Sequence, residues 1–439
     1  MEMTAQAVGM RNIYKHVLET IEGRGFLLEP GLLSLFLTFG YIPLPTVDFR
    51  DLPVFRVTEG ENLIMQEHQE HVDVREKVVE GCMVLDSVFE KMVQPEKIQV
   101  VPLSGGKDSR LILGALLKLG LRKNIVAITF GTPGTLDYEI AKQVAKLADV
   151  RHECMDLEKI LVSEEALLKT ASSDEHWTWL FDSYYNEIMY DRFGRDAVIW
   201  SGFLGDAVAG GALLANDSTD LEEAVDRFID RNALTFRLSS PDIMTKQLIL
   251  KEIPNRNTSL SIDEQLNFGI RQENYIRPTV VKRRYNVCLP FEEHEWLTFM
   301  LNCPQQLRRN MSLYKEILIK YCPDLFSLGI KDNYGLPLFS SKARVSLRKA
   351  HLRQGYLWDR LTRQTAHKPS INYIDFATAV EREDYNVLVQ SSLNDLNKRD
   401  VIDWLDIPSL YDEYLHGRRS LGMELLLLTA LELNMKAKL

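Results

Sequence analysis

The stretch that decides the fold runs from Ile98 to Leu119 and reads IQVVPLSGGKDSRLILGALLKL. Its first part, IQVVPL, is a short apolar run rich in β-branched residues, which reads as a buried strand. From Ser109 to Leu119 the apolar residues Leu111, Ile112, Ala115, Leu116 and Leu119 recur near a 3.6-residue period, which predicts an amphipathic helix. Between them lie Leu103, Ser104, Gly105, Gly106, Lys107, Asp108 and Ser109. At a strand-to-helix turn, backbone N–H groups and the helix N-terminus converge on an anion, and glycines let the main chain come close. Ser104 and Ser109 add hydroxyl donors, and Asp108 can hold Mg²⁺, which prefers carboxylate and phosphate oxygens. The turn suits a polyphosphate. It is not a Walker A loop, because the spacing GxxxxGK[ST] is missing and aspartate follows Lys107. The dinucleotide spacing GxGxxG is missing too.

Outward from this turn, further strands are expected at NIVAITF, VRHECMDL and AVIWSG, and a second helix from Asp137 to Ala148, with Ile140, Ala141, Val144, Ala145 and Ala148 in helical period. Strands alternating with helices predict an α/β fold, a Rossmann-like parallel sheet wrapped by helices. After Gly211 the pattern is mostly helical, broken at PDI, NYGLPL and HKPS, with no strand alternation and no repeat. The expected organisation is a lead-in over 1–95, an α/β nucleotide-binding part over 96–215 and a helical continuation over 216–439. The run from Gly31 to Pro45 is shorter than the roughly 20 apolar residues that span a bilayer, and reads as a buried helix with a turn. The basic run SSKARVSLRKAHLR reads as a solvated helix face.

The composition excludes several classes of function. The chain has 439 residues, of which 45% are apolar and 26% charged, as in an ordinary globular protein. Its 52 Lys and Arg against 62 Asp and Glu give a net charge of -10, which disfavours a nucleic-acid or anionic-membrane partner. Cys82, Cys154, Cys288, Cys303 and Cys322 are scattered, with no zinc spacing, and read as reduced thiols. The first residues carry acidic side chains and no apolar core of a signal peptide, so a cytoplasmic location is expected.

The motif SGGxDS after a strand resembles the pyrophosphate-binding loop of the ATP pyrophosphatases, which cleave ATP between its α and β phosphates. A second loop narrows the resemblance. WSGFLGDAVAGG, from Trp200 to Gly211, is similar to the SGxxxDExxxGG segment of the asparagine synthetase family, with Ser201, Gly202, Asp206, Gly210 and Gly211 in register. The resemblance implies that Asp108 and Asp206 hold Mg²⁺ on the pyrophosphate of ATP. Ala207 stands where the family usually has glutamate. TFGTPGTLDYEIAKQVAKL resembles the family's second strand and next helix, so the backbone at Ile128, Thr129 and Phe130 would bracket the adenine. Asp137 and Glu139 are expected to be first-turn acids that favour the helix dipole.

RRYNVCLPFEEHEW resembles the RxPFLD segment, with Glu292 in place of aspartate, and IKDNYGLPL resembles a loop whose lysine reaches the phosphates, which makes Lys331 the candidate cation. In SSDEHWTWLFDSYY, Asp174 or Glu175 is the candidate general base, with His176 behind them; Trp177, Trp179, Tyr184 and Tyr185 read as core. The lead-in resembles the stretch joining the glutaminase and synthetase domains, and no glutaminase of typical size, about 100 to 200 residues, fits before Ser104. The resemblance spans about 25–435 and implies an adenylating amide ligase that releases AMP and pyrophosphate. Its cofactors would be ATP and Mg²⁺, and its partners a small-molecule acid, an amine or ammonia, and a separate amidotransferase or biosynthetic protein. Two alternatives remain open: a tRNA-modifying ATPase with the same loop, and a non-catalytic nucleotide-binding relative.

Overall fold

In the computed structural model the described residues are 29–58, 73–174, 176–254, 258–361 and 373–438. Five strands form one sheet: β1 (Gln99–Pro102), β2 (Ile125–Gly131), β3 (Arg151–Asp156), β4 (Val198–Trp200) and β5 (Asn286–Cys288). Their order is β3-β2-β1-β4-β5, and every pairing is parallel. The fold is therefore α/β with a wholly parallel sheet, as expected.

Four strands arise where the sequence predicts them. The fifth is a difference, because it lies in the stretch read as helical continuation and outside the range 96–215. Its three residues, Asn286, Val287 and Cys288, are too few to show alternation, and parallel pairing with β4 alone defines them.

Side chains alternate across the sheet with the period of two that a pleated strand imposes. Val101, Ala127, Val198 and Trp200 face a large core that takes in the helices Asp108–Lys118 and Leu136–Ala148. Val100, Ile128, Met155 and Ile199 face a smaller core closed by Met189 and Tyr190, from the helix Leu180–Asp191. Burial of each such aliphatic side chain contributes about 1.5–3 kcal/mol. The run from Gly31 forms the buried helix Pro30–Phe39, which starts at proline and ends at Gly40, left-handed at φ 76°. Among the described residues, no helix is long and apolar enough to cross a membrane. The five cysteines are free thiols. Lys342, Arg344, Lys349, His351 and Arg353 of the basic run are exposed on the helix Lys342–Leu361, as a solvated face requires.

Candidate active site

β1 pairs with β2 on one side and with β4 on the other. The strand order therefore reverses at β1, and in open parallel sheets ligands bind beyond the strand C-termini at such a switch point. The Ser104–Ser109 turn leaves β1 there, and the Ser201–Gly211 segment leaves β4 beside it. The two glycine-rich motifs, far apart in the chain, are thus neighbours.

Their contact is close. Asp108 opens the helix Asp108–Lys118, whose first turn leaves backbone N–H groups without intrahelical partners. A Cβ on Gly202 would lie 3.0 Å from the Asp108 Cβ, and one on Gly205 would lie 2.6 Å from its Cγ. Leu204 adopts φ 66°, a left-handed conformation that is strained for a branched side chain. Gly210, at φ 94°, leaves no room for a side chain because a Cβ would meet the Arg308 carbonyl oxygen at 2.3 Å. Asp206 is exposed at the start of the turn Ala207–Gly211, and Ala207 is buried. In the first loop the Ser104 hydroxyl accepts the Gly106 N–H at 3.1 Å and lies 3.0 Å from the Ser109 hydroxyl, which accepts the Ser104 N–H at 3.1 Å. The two hydroxyls brace the turn.

The charges in this crevice are unbalanced. Burial, and then the nearby Asp206 carboxylate, push the Asp108 carboxyl up to about 7, while Lys107 and the Tyr314 hydroxyl draw it down. That hydroxyl donates to Asp108 Oδ1 at 2.7 Å. Two mutually repelling carboxylates fit a divalent cation. No group of three or more His, Cys, Asp or Glu able to hold a metal occurs among the described residues, so phosphate oxygens would have to complete the shell of such an ion.

Two lysines flank the glycine turn. Lys107 is buried and paired with Asp332. Burial opposes its charge, but Asp332, Asp108 and Asp206 together hold its pKa above the ordinary lysine value. Lys331 pairs with Asp137 at 3.0 Å and donates its backbone N–H to the Gly105 carbonyl, also at 3.0 Å. Asp137 in turn accepts the Gly105 N–H at 2.6 Å. It therefore ties the loop to Lys331 and does more than favour a helix dipole, whereas Glu139 accepts the Gly134 N–H beside its own helix.

Sequence reasoning missed Arg110. Its fully buried guanidinium donates to the carbonyls of Leu325 (3.1 Å), Leu328 (3.2 Å) and Gly329 (2.9 Å), fastening the Lys331 segment to the helix that carries Asp108.

Of the expected adenine-bracketing residues, Ile128 has its side chain in the core and its carbonyl bonded to the Leu103 N–H at 2.8 Å. The Thr129 hydroxyl donates to the Leu103 carbonyl at 2.8 Å. Phe130 is half-buried and meets the Tyr373 ring edge-on at 5.1 Å. Ser201 is buried and donates its N–H to Cys288.

The structure does not bring Asp174 to the glycine loops. It caps the helix Glu164–Ser173, and its carboxylate bonds Lys282 at 2.5 Å and Thr178 at 3.2 Å. Glu175 lies outside the described residues. Trp177, Trp179, Tyr184 and Tyr185 are buried, as read. Glu292 forms an ion pair with Arg277, which also pairs with Glu273 at 2.7 Å. A further acid that the sequence did not single out is Asp182, raised to about 6 by burial and bonded by the hydroxyls of Tyr373 and Tyr275. Compared with known proteins, the chain matches no family model and no curated sequence.

Proposed function

We propose that this chain is an ATP-dependent carbon–nitrogen ligase of the asparagine synthetase type, with a sheet of the ATP-pyrophosphatase kind. One observation carries the reading: at the β1–β4 switch point Asp108 rests against Gly205 with the Asp206 carboxylate near enough to repel it, and Lys107 and Lys331 flank the same glycine turn. Two acids, two cations and a braced glycine loop are the parts that a bound nucleotide triphosphate needs.

In the proposed reaction a carboxylate oxygen of the acid attacks the α-phosphorus of ATP. The bond from that phosphorus to the bridging oxygen breaks, and pyrophosphate leaves with the electron pair. The loop N–H groups, Lys331 and Lys107 offset the charge that grows on the departing oxygens. Mg²⁺ held by Asp108 and Asp206 would neutralise phosphate charge. An amine or ammonia then attacks the acyl carbon, AMP departs and an amide forms. Asp174 is committed to Lys282, which favours a structural role for it over that of the base.

ATP–pyrophosphate exchange across a panel of carboxylic acids tests the reading. Acid-dependent exchange, and release of AMP with pyrophosphate once an amine is added, supports it. Release of ADP and phosphate would sink it.

A further inference from the structure

From Asn333 to Trp358 the sequence has no acidic residue, although over the whole chain Asp and Glu outnumber Lys and Arg by 62 to 52. The helix Lys342–Leu361 begins in that window. Its Lys342, Arg344, Lys349, His351 and Arg353 are exposed, and none of the five pairs with a described carboxylate. Exposed lysines elsewhere do find acids, as Lys91 finds Glu293 and Lys118 finds Asp86, each at 2.7 Å. Here the charge is uncompensated, and its placement works against the helix itself. The first turn holds no acid, where the helix dipole favours one. Arg344 and Arg348, and likewise Lys349 and Arg353, are like charges four residues apart, which repel on a helix surface. Helix stability does not account for the pattern.

Exposure divides this helix into two faces. Val345, Arg348 and Leu352 are half-buried and turn inward. Ala343, Leu347, Ala350 and Gln354 are exposed and recur at intervals of four, three and four residues, the spacing of a coiled-coil seam. Leu347 is 72% exposed, and Phe339, just before the helix, is 55% exposed. In heptad terms Arg344 and His351 border the seam on one side, and Arg353, with Lys342 and Lys349 beyond it, borders the other. An apolar seam between two positive edges complements a helix with an apolar seam and acidic edges. A phosphate backbone would neutralise the edges but leave Leu347 in water, and the net charge of -10 repels a long polyanion.

We infer that this face docks an acidic amphipathic helix of a partner protein, with apolar side chains on Ala343, Leu347 and Ala350 and carboxylates against Arg344, Lys349 and Arg353. The same helix of a second copy is not the occupant, because its edges would bring like charges together. The docked helix would stand beside the candidate active site. Arg348 Nε lies 3.5 Å from the Tyr334 carbonyl oxygen and Lys349 Nζ lies 5.8 Å from the Tyr334 ring centroid, and Tyr334 ends the turn Lys331–Asn333. The inference does not rest on the adenylation reading, and its test needs no nucleotide.

Fluorescence anisotropy on the full chain tests it with a labelled peptide about three heptads long, leucine at a and d and glutamate at e and g. A control peptide has the same composition, shuffled so that the leucines no longer share a face. At about 0.15 M salt the amphipathic peptide should bind tenfold or more tightly than the shuffled one. Leu347→Gln should weaken its binding at least fivefold. Arg344→Glu combined with Arg353→Glu should abolish it and admit the counterpart peptide with lysine at e and g, while circular dichroism reports unchanged helix content. Equal binding of the two acidic peptides, or no saturable binding up to about 1 mM, would overturn the inference. So would tighter binding of an oligouridylate, or of vesicles of phosphatidylcholine and phosphatidylserine in equal parts, than of the amphipathic peptide. A dimer of the chain that Leu347→Gln dissociates would assign the face to a second copy and overturn it as well.

Discussion

The carboxylate of Asp108 lies against the α-carbon of Gly205, so closely that a methyl group there would stand 2.6 Å from its Cγ and 2.7 Å from its Oδ1. One loop's aspartate is thus seated on the other loop's glycine. Gly205→Ala forces the acid or the turn to move, at an overpacking cost of about 1–3 kcal/mol. MgATP affinity should fall tenfold or more, while circular dichroism still reports a folded chain. Unchanged affinity would show that the two loops do not act together.

Asp108 also sets a pH dependence. Its folded pKa of about 7 lies above the ordinary 3.8, so between these values the folded protein holds the extra proton. This group's contribution to stability is full below about pH 4 and is lost as the pH rises through about 7. Denaturant titrations without divalent metal should show that decline, and Asp108→Asn should flatten it. Tyr314→Phe removes a donor to the carboxylate and should move the decline to higher pH.

Asp332 competes for Lys107 with any phosphate that enters the turn. Its side chain is about half exposed, so the pair is worth roughly 0–1 kcal/mol. Asp332→Asn should therefore tighten pyrophosphate binding by up to about fivefold. Weaker binding by equilibrium dialysis would show that Asp332 serves the bound state.

Arg110 and Lys331 should act as one unit. Arg110→Met leaves the carbonyls of Leu325, Leu328 and Gly329 without their donor, at about 1–3 kcal/mol of stability. In a double-mutant cycle with Lys331→Met, read as pyrophosphate affinity, the two losses should be non-additive by at least about 1 kcal/mol. Additive losses would mean that Arg110 supports the fold alone.

Asp174→Asn should unfold the protein more readily by about 3–5 kcal/mol, because it strands Lys282 in the interior. Asp174→Asn combined with Lys282→Met should recover much of that loss in a thermal melt. A stable Asp174→Asn protein with abolished turnover would instead restore the acid to a proton-transfer role.

How much of this was legible in the sequence depended on distance along the chain. β1 and β2 were readable because four to seven successive residues carry the apolar signal next to glycine turns. β5 was not, because a strand of three residues that opens on Asn286 is too short to give a pattern. Both glycine loops were readable as local motifs, but that Asp108 rests on Gly205 follows only from the insertion of β4 beside β1. Asp137 looked like a helix-start acid, yet its carboxylate reaches Gly105, 32 residues back. Arg110 gave no signal, since its acceptors lie 215 to 219 residues away. Asp174 read as a candidate general base, but its partner Lys282 is 108 residues downstream.

The reversal of strand order at β1 also bears on biosynthesis. The glycine turn is made early, but its opposing aspartate arrives with β4, the neighbouring strand with β5, and the second lysine last of all. A chain still on the ribosome therefore cannot assemble the crevice until Lys331 has emerged, and a product terminated before β4 keeps the glycine turn without its counterparts. Topology alone thus makes assembly of the crevice wait on synthesis through Lys331.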